Sequence, residues 1–130
     1  MTVGKQLAMK VGIVGCGWVS GLHVNAWKDI GMSVAAVCDV NEKTARQFAE
    51  KWEIPSYYVD LSSMLQSEDL FAVSICTPPQ FHAELAIEAL ESECHVFVEK
   101  PFTVTTKEAD KVMNTLHKSS AKLTIVHSQL

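Results

Sequence analysis

Six short apolar runs rich in β-branched residues alternate with stretches of helical periodicity along nearly the whole chain, and this alternation constrains the fold more than any other feature of the sequence. The runs are 11–14, 34–38, 57–59, 71–76, 96–98 and 123–126. Val19, Leu22, Ala26 and Ile30 come after the first run at helical spacing, and Gly31 stops that helix. Ala45, Phe48, Ala49 and Trp52 mark a second helix with Asn41 as its cap. Asp60 caps a short third helix reaching Leu65. His82, Leu85, Ala86 and Ala89 share the face of a fourth. Thr105 and Glu108 form a capping box ahead of the stripe Ala109, Val112, Met113 and Leu116. Strands alternating with helices predict βαβ units, a parallel sheet and right-handed crossovers. The continuously apolar strands agree, because helices bury both faces of such a sheet. The expected fold is a single α/β domain, a doubly wound parallel sheet in the order 3-2-1-4-5-6.

Composition narrows the function. The chain has 130 residues, 48% hydrophobic and 20% charged, which excludes a disordered chain. No apolar run approaches the roughly 18 residues needed to cross a bilayer, so no membrane partner is expected. Fifteen acidic against eleven basic residues give a net charge of −4, and without a basic cluster nucleic acid is not an expected partner. Cys16, Cys38, Cys76 and Cys94 have neither redox nor metal-ligand spacing, so no metal site is expected. With no signal pattern at the N-terminus, these are read as four free thiols in a reducing cytoplasm. Residues 1–9 read as a leader and 10–130 as the domain. Cys16 lies beside a helix N-terminus, which can lower a thiol pKa; the simpler reading is a small side chain filling a tight turn.

In an open parallel sheet the ligand lies beyond the carboxyl ends of the strands, so the residues just past each strand are informative. After the first comes Gly15-Cys16-Gly17-Trp18-Val19-Ser20, a G-x-G-x-x-G dinucleotide loop with serine in the last position. Gly15 permits the tight turn, Gly17 admits a pyrophosphate to the backbone, and the next helix offers free N–H groups to that anion. The second strand ends at Asp39, 22 residues beyond Gly17. There a carboxylate can accept from adenosine ribose hydroxyls or, alternatively, cap a helix. As a ribose acceptor it repels a 2′-phosphate, which favours NAD; NADP is the second candidate if Lys43 and Arg46 turn inward. Thr77-Pro78-Pro79 ends the fourth strand, either a rigid crevice wall or a plain turn. His82 reads locally as a structural histidine. Lys100, after the fifth strand, can polarise a substrate hydroxyl or can be a solvated partner of Glu99. His127, Ser128 and Gln129 would lie at the same rim.

Residues 11–18 (VGIVGCGW), 76–82 (CTPPQFH) and 98–102 (VEKPF) together resemble the glucose–fructose oxidoreductase and inositol dehydrogenase (Gfo/Idh/MocA) family, in its N-terminal Rossmann domain. The resemblance implies hydride transfer between a nicotinamide cofactor and a sugar, polyol or related alcohol. It places Gly15, Cys16, Gly17, Trp18 and Val19 at the pyrophosphate and Asp39 at the adenosine ribose. It sets Thr77, Pro78 and His82 along the nicotinamide side, Glu99 near the nicotinamide ribose, and Lys100 on the substrate as the catalytic lysine. It also implies a C-terminal domain carrying the substrate pocket, an aspartate–histidine pair and an oligomer interface. These lie outside the 130 residues, so the chain alone is expected to be inactive. The alternative is a non-enzymatic dinucleotide-binding or sensor module acting through a partner protein.

Overall fold

The computed structural model describes residues 9–126. Residues 1–8 of the expected 1–9 leader, and residues 127–130, expected at the rim, lie outside the described residues. Six strands, β1 (Lys10–Val14), β2 (Ser33–Cys38), β3 (Ser56–Tyr58), β4 (Ala72–Ile75), β5 (His95–Glu99) and β6 (Leu123–Val126), form one sheet in the order β3-β2-β1-β4-β5-β6. Every pairing is parallel. This is the doubly wound order expected from the alternation. The third strand sits one residue earlier than its apolar run, and Val59 is 44% exposed beyond it.

Among the described residues five α-helices connect the strands: α1 (Trp18–Asp29), α2 (Glu42–Trp52), α3 (Leu61–Ser67), α4 (His82–Glu91) and α5 (Thr106–Lys118). The predicted caps form. Asn41 accepts from the Thr44 N–H at 3.0 Å and Asp60 from the Ser63 N–H at 2.7 Å. Thr105 and Glu108 close a reciprocal capping box. Each satisfies backbone donors that a helix start leaves without partners. The core divides by face. Val24 and Trp27 of α1 and Phe48 of α2 pack on Ile13 and Val37. Met64 of α3, Leu90 of α4 and Val112 of α5 pack on Val73, Ile75 and Val98.

Two apolar stripes are placed differently from their expectation. On α5 only Val112 is buried, and Met113 is 40% exposed. On α1 the difference is larger: Leu22 and Ala26 are exposed, Ile30 is 70% exposed, and Val19 is half-buried. The buried residues of α1 are Ser20, Gly21, His23, Val24 and Trp27. The reason is close packing. A Cβ on Gly21 would lie 2.6 Å from the Trp52 ring, so glycine lets α1 and α2 approach. That turns Leu22, Ala26 and Ile30 toward a groove of about 450 Å³ floored by Ser74 and Phe97 and ended by Val126.

The two sides of α1 therefore differ in what they contribute. Val24→Ala removes a fully buried side chain and is expected to cost on the order of 2–3 kcal/mol. Leu22→Ala is expected to change stability by no more than about 0.5 kcal/mol. Urea unfolding of both variants measures the contrast; equal losses would return the Leu22 stripe to the core.

Candidate functional site

The carboxyl ends of β1, β2, β4 and β5 bring the predicted residues to one edge of the sheet. Gly15 has φ +97°, a conformation that strains any residue with a side chain. A Cβ there would stand 3.1 Å from Thr77 Cγ2 and 3.2 Å from the Cys76 carbonyl carbon, so Gly15 also sets the spacing of β1 from β4. Its N–H donates to Cys38 O at 2.8 Å. Gly17 is different. It is the N-cap of α1 at φ −76°, with no side-chain cap bond, and a Cβ on it would meet nothing within 4 Å. The fold does not need glycine there. The glycine leaves open space over the start of a helix whose first turn carries no acidic residue. Trp18, 67% exposed, and Val19 open that helix. Ser20, in the last position of the motif, does more than fit: its hydroxyl donates to Gly15 O at 2.7 Å.

Asp39 does not cap α2, a task Asn41 performs. Its Oδ2 accepts from the Cys16 N–H at 3.1 Å and its Oδ1 from the Asn41 N–H at 2.9 Å. The carboxylate thus ties the glycine loop to the end of β2. Arg46 turns along its own helix to Glu42 at 3.3 Å, and Glu42 also accepts from the Tyr57 hydroxyl at 3.0 Å. Arg46 is therefore not turned toward Asp39. The helix start does not activate Cys16. Burial first, then the charge of Asp39 and a hydrogen bond to it, push its thiol up to about 12. The expectation of a lowered pKa is corrected, and the small-residue reading remains.

Thr77 Oγ1 is buried with no hydrogen-bond partner among the described residues, an unsatisfied group beside the Gly15 turn. Pro78 is exposed beside it. His82 is 1% exposed; its Nε2 lies 2.8 Å from Thr77 O, and its Nδ1 lies 2.9 Å from Pro101 O and 3.1 Å from Phe102 O. The ring braces the β4 loop against the β5 loop from beneath. Lys100 is exposed, precedes a cis peptide bond to Pro101, and donates its N–H to Val126 O at 3.1 Å. Among the described residues it forms no ion pair, so Glu99 is not its partner. Glu99 Oε2 instead lies 2.5 Å from His23 Nε2 on α1. Sequence reasoning passed over His23. The available signal was its position with Ser20, Val24 and Trp27 on one helical face. A second groove, of about 450 Å³, lies between α1 and α2 and reaches the glycine loop itself, lined by Cys16, Gly17, Trp18, Thr44, Lys51 and Trp52.

Residues 9–127 match the sequence model of the Gfo/Idh/MocA oxidoreductases, described as an oxidoreductase family with an NAD-binding Rossmann fold. The chain belongs to this family. A D-glucoside 3-dehydrogenase from Escherichia coli is 34% identical over 112 residues, 85% of this chain and 32% of that protein. A myo-inositol 2-dehydrogenase from Thermotoga maritima is 28% identical over 116 residues, 88% and 35% of the two chains. The WlbA dehydrogenase from Bordetella pertussis, solved with NADH and UDP-GlcNAcA, shares the fold at TM-score 0.85 and 24% identity, over 93% of this chain and 35% of that one. This Gfo/Idh/MocA chain thus spans about a third of the length of the relatives it matches. No helix among its described residues is long and apolar enough to cross a membrane.

The loop geometry predicts the behaviour of Cys16. Its thiol should alkylate slowly up to pH 9, because burial and, after it, the carboxylate beside it oppose thiolate formation. Asp39→Asn removes that charge and should lower the pKa and speed alkylation at pH 8, though burial keeps it above that of an exposed cysteine. Peptide-resolved alkylation measures both. An unchanged rate in Asp39→Asn would remove the carboxylate from the loop.

Proposed function

We propose that this chain is the cofactor half of an oxidoreductase that transfers hydride between NAD and a carbon-bound hydroxyl of a sugar or polyol. The open space over Gly17, at a helix start with no side-chain cap and in the loop that Asp39 holds through Cys16, carries the proposal. A pyrophosphate fits it, because helix N–H groups and the positive dipole end favour an anion. In this reading the backbone from Gly15 through Cys16, Gly17 and Trp18 to Val19 surrounds the pyrophosphate. Asp39 accepts from the adenosine ribose. The unsatisfied Thr77 hydroxyl and the Pro78 ring border the nicotinamide half, with His82 holding their loop and Glu99 next along the edge.

Bound NAD supplies the hydride acceptor. Lys100 supplies the remaining chemistry of this half. With no ion pair among the described residues, its ammonium is available to donate to the substrate oxygen and to stabilise charge that develops there. Positioning the alcohol carbon requires walls that the described residues do not form. The relatives are about three times as long, and we assign substrate enclosure, proton removal and any oligomer contact to that further length. Residues 1–130 alone would then bind cofactor without turnover. We place the leader at 1–9 and the protein in the cytoplasm, where Cys16, Cys38, Cys76 and Cys94, all free, stay reduced. The dehydrogenase relatives lend no support to a sensor module.

Gly17→Val tests the proposal. The position has ordinary φ and free space, so the melting temperature should move by no more than about 3 °C. NAD binding by calorimetry should fall at least about tenfold, a loss of ~1.4 kcal/mol. In the parent chain NADP should bind more weakly than NAD. Normal NAD binding by Gly17→Val, or equal affinity for both cofactors, would refute the respective assignment.

A further inference from the structure

His23 is buried in the second turn of the helix that leads away from the glycine loop. Its Nε2 stands 2.5 Å from Glu99 Oε2, and the two side chains are 8% and 14% exposed. The contact joins residues 76 apart, the start of α1 and the last residue of β5. We propose that His23 is a positioning residue: it fixes the Glu99 carboxylate, and with it the β5 end that carries Lys100, relative to the loop at Gly15 and Gly17.

Packing alone does not call for this pair. Trp27 already ties α1 to the same strands, its Nε1–H donating to Ser74 Oγ at 2.8 Å and its ring meeting Phe97 edge-on at 4.9 Å. Val24 adds a fully buried apolar contact. A buried carboxylate and imidazole cost desolvation that an apolar pair avoids, so as packing they would be a poor choice. Their position suits a different task. The strand order reverses between β1 and β4, and at such a point a ligand lies across the strand ends. Asp39, just after β2, takes the adenosine half to one side of β1. The other half then extends over β4 and β5, toward Thr77 and Glu99. A pair reaching from α1 to Glu99 sets the distance between the two halves of the site. The inference rests on the proposed cofactor site.

Calorimetry with NAD and with ADP separates the halves, because ADP carries only the adenosine and pyrophosphate. His23→Ala should weaken NAD about tenfold while ADP changes by less than about twofold. His23→Gln, which keeps an N–H near the Nε2 position, should recover most of the loss. On a Glu99→Gln background, His23→Ala should have a much smaller effect on NAD, the mark of two residues acting through one contact. Parallel loss of NAD and ADP, or no loss of either, would overturn the positioning role while leaving the cofactor reading intact. If the parent chain bound neither ligand, the cofactor reading would fail and this inference with it. Should His23→Ala not fold, His23→Gln and Glu99→Gln carry the comparison: Glu99→Gln must weaken NAD selectively, and His23→Gln must not.

Discussion

A single carboxylate joins the two halves of the glycine loop's surroundings. Asp39 stands at the end of β2 and accepts from the Cys16 N–H, while the Gly15 N–H donates back to Cys38 O. These bonds hold the turn after β1 against its neighbour on one side. On the other, the lack of a Cβ at Gly15 lets the turn lie against Cys76 and Thr77 at the end of β4. The crevice at the strand ends is the result. A loop fixed from both sides leaves Gly17, on which a Cβ would meet nothing within 4 Å, at the start of α1. Burial first, and then the same carboxylate, suppress the Cys16 thiol at the helix start.

The strands and their order were legible because parallel strands buried on both faces are apolar along their length, as 34–38 is and as 71–76 is but for Ser74. The caps at Asn41, Asp60 and Thr105 were legible because capping is local chemistry. The face of α1 was not. Its sheet-facing side carries Ser20, Gly21 and His23, while its outer side carries Leu22, Ala26 and Ile30, so hydropathy alone selects the wrong side. Close approach to Trp52 decided the matter, and no periodicity encodes that contact.

The candidate site divides in the same way. The loop after β1 and Asp39 were legible from spacing, since motif and topology specify each other. Their hydrogen bond was not, because spacing places a carboxylate without orienting it. Glu99 and Lys100 lie side by side in sequence, which suggested an ion pair. A strand end sends successive side chains to opposite sides, so Glu99 turns beneath to His23 and Lys100 outward. The role of His82 depends on three carbonyl groups, two of them 19 and 20 residues away.

The central claim is that a dinucleotide lies across the strand ends, with its pyrophosphate over Gly17. Titrating the isotope-labelled chain with NAD while monitoring backbone amide resonances measures this directly. The account predicts the largest shifts at residues 15–19, with further shifts at 39–41, 77 and 99–100. Shifts confined to Thr44, Lys51 and Trp52, in the groove between α1 and α2, or to Leu22 and Ile30, would place the ligand elsewhere and contradict it.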